Sequence, residues 1–220
     1  MRGKPDGILR IIDEFASTVT GLVNIGQHKG SIIVDVMDVH KPRVVIELGC
    51  YLGYSTILIA SILKKHGGGH CYSVEKSSLF AAVAASLVDL AGLKNMVTFV
   101  IGTGTEGLQR LYDERVVTTP IGMLFLDHHK PSYTTDLKLC ERHGLIGIGT
   151  VVVADNVVFP GNPPYLEWVR ATVAEKRVLN DKDEVKGDPR LVYRGEFMES
   201  FEPSGEDDAM EITECVAIEN

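Results

Sequence analysis

Short apolar runs that each end in a polar or glycine-rich stretch recur along this chain and constrain its fold strongly. Three of them are rich in β-branched or large apolar residues and lead into Glu47–Ser55, Leu126–Lys130 and Ala154–Asn156. Runs of this kind, alternating with helical segments, are typical of buried parallel strands. The carboxyl ends of such strands meet at one edge of the sheet, where ligands bind. The sequence therefore predicts an α/β fold whose site is built from these three stretches.

The apolar periodicity predicts the elements around the site. Two helices, over 7–23 and from residue 30 onward, precede the first strand and are placed to form a lid. Five strands then alternate with helices, and the predicted strands are 43–48, 71–74, 97–101, 123–126 and 150–154. The helices between and after them are predicted at 55–65, 79–91, 133–143 and 165–176. Such alternation favours a parallel sheet with helices on both faces.

The end of the chain has a different pattern. A polar run over 180–188 is expected to be an exposed loop, and two strands follow at 191–197 and 210–218 with no helix between them. Strands joined by a short connection pair antiparallel. We therefore predict one domain with a seven-stranded, mostly parallel sheet and an antiparallel C-terminal hairpin. Its parts are a helical lid (1–42), a core for cofactor and metal (43–160) and a C-terminal helix with the hairpin (161–220).

Charge and cysteine content exclude several classes of partner. The 220 residues carry a net charge of −8, and no cluster of lysine and arginine could follow a phosphate backbone, so nucleic acid is not expected. The four cysteines are scattered without a C-x-x-C spacing, which favours free thiols in a reducing compartment. No long apolar stretch follows the N-terminus, so neither a signal peptide nor a membrane span is expected. We expect a cytoplasmic protein that acts on a small molecule.

The first stretch resembles a loop that binds a nucleotide-type cofactor. Gly49 and Gly53 flank a turn between a strand and a helix, although an ordinary tight turn would use the same pair. Their Gly-x-x-x-Gly spacing differs from the Gly-x-Gly-x-x-Gly of dinucleotide sites, which disfavours a nicotinamide oxidoreductase. Glu75 follows the second strand, where a carboxylate can accept hydrogen bonds from ribose hydroxyls. Glu47 is expected to face the cofactor's charged end, and a cationic adenosine cofactor fits this set.

The other two stretches offer metal ligands and a base. Asp127, Asp155 and Asn156 supply hard oxygen atoms that suit Mg²⁺ or Ca²⁺, although Asp155 and Asn156 could instead only cap the loop after their strand. Lys130 lies three residues beyond Asp127. A neighbouring cation disfavours the ammonium form, so this lysine could act as a general base. The alternative is an exposed surface lysine.

With these residues in place, the chain resembles the catechol O-methyltransferase family of class I S-adenosylmethionine-dependent methyltransferases. The resemblance includes the loop Asn24–Gly30, the three stretches above, Val74-Glu75, and the continuation to Gly161. It implies a Rossmann-like domain and Mg²⁺-dependent methyl transfer from S-adenosylmethionine to one hydroxyl of a catechol. In that reaction Lys130 would take the proton from the attacking hydroxyl, and Mg²⁺ would hold both catechol oxygens.

The resemblance also implies roles for individual positions. Cofactor contacts would come from Ile25, Glu47, Gly49, Tyr51, Ser55, Glu75, Gly104, Thr105, Asp127 and His128. The metal ligands would be Asp127, Asp155 and Asn156, and the substrate would meet Lys130, Asn156, Pro160 and Glu202. Glu202 would hold the second catechol hydroxyl as a catalytic residue beside Lys130; Glu199 and Glu206 are close enough to be alternatives.

Two departures from the family leave substrate choice open. The family's mammalian members have tryptophan where this chain has Gly21 and His129, and those indoles grip the flat ring. A bulkier ortho-dihydroxyphenol of the caffeoyl type is therefore an alternative substrate. A non-catalytic S-adenosylmethionine-binding protein is another, although binding alone would need neither the metal ligands nor the lysine. Trp168 is expected in the core, and a monomer or weak dimer is expected in solution.

Overall fold

A seven-stranded sheet runs through the computed structural model, which describes residues 2–219; Met1 and Asn220 lie outside the described part. The strands are β1 (Val44–Leu48), β2 (His70–Glu75), β3 (Val97–Ile101), β4 (Met123–Leu126), β5 (Val151–Ala154), β6 (Leu191–Phe201) and β7 (Asp207–Ile218). Their order across the sheet is β3-β2-β1-β4-β5-β7-β6. Neighbours among β1 to β5 pair parallel, whereas β7 pairs antiparallel with both β5 and β6. The predicted sheet and its C-terminal hairpin are confirmed.

Helices cover both faces of this sheet. They are α1 (Pro5–Thr18), α2 (Gly26–His40), α3 (Tyr54–Lys65), α4 (Ser78–Leu90), α5 (Gly104–Asp113), α6 (Tyr133–Arg142), α7 (Pro163–Arg170) and α8 (Val173–Lys182). Successive strand residues point to opposite faces, so Val45 packs in the core layer beside α1 to α4 and Ile46 packs in the layer beside α5 to α7. Trp168 is buried in the second layer, as expected. All four cysteines are free and buried.

Several predicted elements differ from the structure in their limits, and one helix was not predicted. The helix predicted over 7–23 ends at Thr18. The helix predicted over 165–176 is two helices, because Thr172 caps α8 through reciprocal hydrogen bonds with Glu175. Helix α8 then continues through Lys182, into the polar run that was expected to be a loop. A capping pair of the same kind, Thr103 with Glu106, starts α5, which the apolar pattern did not predict.

The N-terminal helices are positioned at the edge of the sheet where the strands carry their polar ends. Helix α2 begins at Gly26, so Gly30 lies inside the helix and does not separate it from the preceding loop. A Cβ atom on Gly30 would lie 3.3 Å from Leu58, so the glycine lets α2 approach α3 closely. Asp13 of α1 accepts a hydrogen bond from the Tyr54 hydroxyl at 3.2 Å. Between residues 2 and 219, no helix has both the length and the apolar character needed to cross a bilayer.

Thr172→Ala should lower the free energy of unfolding by about 1 kcal/mol, the usual contribution of a helix N-cap. The Thr172 hydroxyl donates to Glu175 Oε2 at 2.7 Å and accepts from its backbone nitrogen at 3.4 Å. Urea denaturation measures the change, and Thr172→Ser is the matched control because it keeps the hydroxyl. Equal losses in both variants would show that the methyl group, and not the cap, stabilises α8.

Candidate active site

A cavity of about 1490 Å³ opens at the carboxyl ends of the parallel strands. Pockets for one small ligand usually measure roughly 300–1,000 Å³, so this cavity has room for two. It brings together all but one of the residues predicted for the site: Ile25, Gly49, Tyr51, Ser55, Glu75, Gly104, Thr105, Asp127, His128, Lys130, Asp155, Asn156, Pro160 and Glu202. Glu47 is the exception.

The glycine loop after β1 is shaped by contact with a neighbouring strand end. Gly49 has a φ of 85°, which is a left-handed conformation that favours glycine. A Cβ atom on Gly49 would lie 2.5 Å from the carbonyl oxygen of Asp127, so no larger residue fits there. The sequence predicted a close approach to a ligand at this position. In the structure, the glycine first permits the ends of β1 and β4 to approach each other.

Glu75 holds this loop in place from the end of β2. One carboxylate oxygen accepts hydrogen bonds from the backbone nitrogens of Cys50 at 3.2 Å and Tyr51 at 3.0 Å. The other accepts from the backbone nitrogen of Ser77 at 2.8 Å. The side chain also lines the cavity. Its carboxylate therefore has a structural role beside any contact with a cofactor.

Glu47 is fully buried behind the cavity wall. Its Oε2 atom accepts hydrogen bonds from the hydroxyls of Thr56 at 2.5 Å and Ser73 at 2.6 Å. Its Oε1 atom has no hydrogen-bond partner among residues 2–219. Burial raises the pKa of Glu47 to about 7, because desolvation disfavours the carboxylate. A cation nearby would stabilise the carboxylate form of Glu47. The expected position of Glu47 near the charged end of a cofactor stays a prediction.

A chain of hydrogen bonds connects the cofactor residues of two strand ends. His128 Nε2 lies 2.8 Å from Asp136 Oδ2, and the Thr105 hydroxyl donates to Asp136 Oδ1 at 2.5 Å. The His128 ring also stacks on Tyr133, with 4.9 Å between ring centroids. Asp136 is fully buried and was not predicted as part of the site. Its position one turn into α6 gave no signal in the sequence.

Lys130 projects into the cavity with its amine held by two groups. The Nζ atom donates to Asp127 Oδ1 at 2.9 Å and to the Tyr133 hydroxyl at 2.9 Å. That hydroxyl donates in turn to the carbonyl oxygen of Leu126 at 2.8 Å. The Lys130 carbonyl accepts from Asn162 Nδ2 at 2.6 Å, which fixes the backbone of the turn. The Lys130 amine is thus held in a fixed direction inside the cavity, and Lys130 is not a free surface side chain.

Asn156 is oriented by the carboxylates around it. Its backbone is left-handed, with a φ of 59°. Its Nδ2 atom donates to Glu202, and also to Asp208 Oδ2 at 3.0 Å. An ionised carboxylate only accepts hydrogen bonds, so the amide nitrogen must face these two residues. The amide oxygen therefore points away from them and is free to bind a metal ion.

Glu202, and neither neighbouring glutamate, lies in this group. Glu199 is exposed on β6, and the Glu206 carboxylate accepts a hydrogen bond from Ser204. Glu206 also lines the cavity, but only Glu202 contacts Asn156. The role that the family resemblance implies for Glu202 stays a prediction.

Two residues that the sequence analysis missed complete the polar group. Lys29 of α2 is fully buried, with its Nζ atom 2.7 Å from Asp155 Oδ1 and 2.6 Å from Asp208 Oδ2. It also donates to Glu202. Burial alone would lower the pKa of Lys29, but the carboxylates outweigh burial and raise it. Burial and repulsion from Asp127 raise the pKa of Asp155.

Oxygen donors around Asp155 form two groups that are candidates to hold a divalent cation. Two carboxylates and an amide oxygen, from Asp127, Asp155 and Asn156, form an all-oxygen set of the kind Mg²⁺ prefers. Within residues 2–219, a second acidic group, Asp155 with Glu202 and Asp208, also lies close enough to surround an ion. The ammonium group of Lys29 already contacts all three of its members. Asp127, on the other side, contacts Lys130 and not Lys29.

The rim of the cavity carries aromatic side chains, although position 21 is glycine. A Cβ atom on Gly21 would meet no atom within 4 Å, so this side is open. His129 lies near Ser132, with Nδ1 3.2 Å from its hydroxyl. The His28 and Phe201 rings stack on each other at the rim, with 4.2 Å between ring centroids and 13° between ring planes. Phe159 is half exposed beside Pro160.

Comparison with known proteins places this geometry among methyltransferases. A family model described as a methyltransferase domain matches residues 46–157. Catechol O-methyltransferase of Bos taurus is 34% identical over 198 residues, which are 88% of this chain and 72% of that protein. The Mus musculus enzyme of the same name is 36% identical over 170 residues, 77% of this chain and 63% of that protein. This chain thus covers 63% of one curated relative's length and 72% of the other's.

A solved structure shares the fold at lower identity. The O-methyltransferase from Bacillus cereus, in complex with SAH, superposes with a TM-score of 0.68 and 21% identity. The superposition covers 96% of this chain and 90% of that one. It supports a Rossmann-like architecture for the sheet described above.

In the ligand-free protein, Glu47→Gln should be more stable relative to the wild type at pH 8 than at pH 5. The pKa of Glu47 is raised from 4.5 to about 7, so the wild type loses stability as pH rises through this window and the glutamine variant does not. The difference in free energy of unfolding between the two proteins should grow by about 3 kcal/mol. A pKa change of one unit corresponds to about 1.4 kcal/mol. Urea denaturation at both pH values measures it.

The control titrates outside this pH window. Backbone and hydroxyl hydrogen bonds from Thr103 lower the pKa of Glu106, so the stability that its carboxylate contributes is already present above its unfolded pKa. Glu106→Gln should therefore differ from the wild type by the same amount at pH 5 and at pH 8. A Glu47→Gln profile that is parallel to the wild type would contradict the buried, raised-pKa carboxylate.

Proposed function

Because the chain belongs to the catechol O-methyltransferase family of S-adenosylmethionine-dependent methyltransferases, we propose that it methylates one hydroxyl of a catechol with the help of Mg²⁺. One observation carries this proposal. A single cavity holds Lys130, the oxygen donors Asp127, Asp155 and Asn156, and the glycine loop beside Glu75. A protein that only bound the cofactor would have no use for the lysine and the oxygen donors.

The cofactor half of the cavity lies over the ends of β1, β2 and β3. Glu75 and the Gly49–Gly53 loop would receive the adenosine part, with the ribose hydroxyls donating to the Glu75 carboxylate. His128 and Thr105, held by Asp136, form the wall on the side of β4 and α5. The residues predicted to contact the cofactor, from Ile25 to His128, are proposed to do so. When bound, S-adenosylmethionine supplies an electrophilic methyl group on a positively charged sulfur.

The metal half lies over the ends of β4 and β5. Asp127, Asp155 and the amide oxygen of Asn156 would hold Mg²⁺, which when bound stabilises the negative charge of a phenolate. Asp155 Oδ1 accepts from Lys29 and from the backbone nitrogen of Asn156 at 2.8 Å. Its second oxygen, Oδ2, would then be the atom that binds the cation.

Lys130 would remove the proton from the attacking hydroxyl. Tyr133 accepts one hydrogen bond from the Nζ atom and is itself held by Leu126, so the amine has a defined direction. Only the neutral amine can accept a proton, and a cation beside Asp127 favours that form. Glu202 would accept a hydrogen bond from the second hydroxyl, and Pro160 would contact the ring. Both reactants are then held close together, which supplies much of the rate enhancement.

A larger ortho-dihydroxyphenol, of the caffeoyl type, is the second candidate substrate. The open space at Gly21 favours it, because a bulky side chain at that position would narrow the rim. The stacked rings of His28 and Phe201 offer a flat apolar surface next to Glu202. The chemistry at the metal half would be the same for both substrates.

Methyl transfer from labelled S-adenosylmethionine to catechols, monophenols and caffeoyl compounds tests the function, with Mg²⁺ and with EDTA. We expect labelling only of ortho-dihydroxy compounds, loss of labelling with EDTA, and recovery when Mg²⁺ is added in excess. Full activity in EDTA would contradict the metal site. Labelling of monophenols at the same rate as catechols would contradict binding of the substrate through two neighbouring oxygens.

Lys130→Met should lower kcat by about 100-fold or more, the usual scale of general-base catalysis. Calorimetry should show S-adenosylmethionine binding close to the wild type, since Lys130 contacts Asp127 and Tyr133 on the metal half. Lys94→Met, at an exposed lysine, is the matched control and should keep wild-type kcat. An unchanged kcat in Lys130→Met would remove this residue from the mechanism.

A further inference from the structure

A buried lysine sits where three carboxylates would otherwise repel one another. Lys29 Nζ contacts Asp155 Oδ1 at 2.7 Å and Asp208 Oδ2 at 2.6 Å, and it pairs with Glu202. An ammonium group has three N–H donors, so each donor has one carboxylate. We name this arrangement the Lys29 cage: the ammonium group of Lys29 inside Asp155, Glu202 and Asp208.

Asp208 has no capacity left for a metal ion in this arrangement. Its Oδ1 atom accepts from the backbone nitrogens of Val158 at 3.1 Å and Phe159 at 2.8 Å. Its Oδ2 atom accepts from Lys29 and Asn156. A carboxylate has about four acceptor positions, and all of them are used. Asp208 therefore holds Lys29 and the turn after β5, and it is not a candidate ligand.

The charges of the site indicate one divalent cation. Four carboxylates and two ammonium groups meet at this edge of the sheet: Asp127, Asp155, Glu202, Asp208, Lys29 and Lys130. While both lysines are protonated, two negative charges remain, which one Mg²⁺ would neutralise; Lys130 would lose its proton only to act as the base. Without Lys29 the group would carry three, and it would also present an empty acidic cage next to the metal site.

We propose that Lys29 is a positioning residue that occupies this cage in place of a metal ion, so that a single cation binds on the Asp127 side of Asp155 and Glu202 stays aimed at the substrate. The proposal rests on the metal-dependent function above. Lys29 holds Asp155 by Oδ1, which leaves Oδ2 for the cation. It holds Glu202 against Asn156, which is where the second catechol hydroxyl is expected.

Lys29→Met tests this role, because methionine has a similar length and no charge. Calorimetric titration of the cofactor-free protein with Mn²⁺ should show one ion per chain in the wild type and a second ion in the variant. Steady-state kinetics should show a KM for catechol raised by about 10-fold or more, since Glu202 loses a charged hydrogen-bond partner. The change in kcat should be smaller than the change in KM.

A second variant covers the risk that three unpaired carboxylates prevent folding. Lys29→Met combined with Asp208→Asn removes one charge of each sign and leaves too few carboxylates for a second ion. It should bind one Mn²⁺ and keep the raised KM. Lys65→Met, at an exposed lysine on α3, is the control and should match the wild type in both measurements.

The outcomes separate this proposal from the function it rests on. One Mn²⁺ per chain in Lys29→Met, or a wild-type KM in the double variant, would overturn the role of Lys29. A wild type that binds no Mn²⁺ would contradict the metal of the proposed function. In that case an ion gained by Lys29→Met would still support occupation of the cage by the lysine.

Discussion

The concentration of carboxylates at one edge of a parallel sheet is the constraint on which the rest of this structure depends. Asp127 and Asp155 follow adjacent strands, and the β6–β7 hairpin adds Glu202 and Asp208 to the same place. Such groups are stable in a buried position only when paired with cations and fully hydrogen-bonded. Lys29 and Lys130 supply the pairing, and the backbone of the turn after β5 supplies further donors.

This requirement connects parts of the chain that are far apart in sequence. Lys29 comes from the helix before the first strand, and Asp208 comes from the last strand, 179 positions later. Helix α2 is thereby attached to the acidic residues of the site, while α1 contacts Tyr54 at the start of α3. Both N-terminal helices line the cavity, and their action as a lid stays a prediction.

The two halves of the cavity differ in how their polar groups are used. On the cofactor half, Glu75 and Asp136 accept hydrogen bonds mainly from other groups of the protein. These bonds hold the glycine loop after β1 and the His128 ring in place. On the proposed metal half, Asn156 and Asp155 line the cavity, and their remaining oxygens are the proposed ligands. The first half is therefore a preformed surface, and the second half is a set of donors that a cation would complete.

The sequence by itself determined the sheet and its antiparallel end, and it predicted the polar residues at the strand ends, because local apolar runs mark the strands and the ends of parallel strands must meet. The other predicted positions, among them Ile25, Gly104, Thr105, Pro160 and Glu202, came from the family resemblance alone. Only the tertiary structure decided the roles of Lys29, Asp136 and Asp208, since an isolated charged residue in a helix or strand reads as solvent-exposed until its partners are known. The structure likewise decided the orientation of the Asn156 amide and the burial of Glu47. These features depend on contacts between distant segments, and local periodicity carries no information about such contacts.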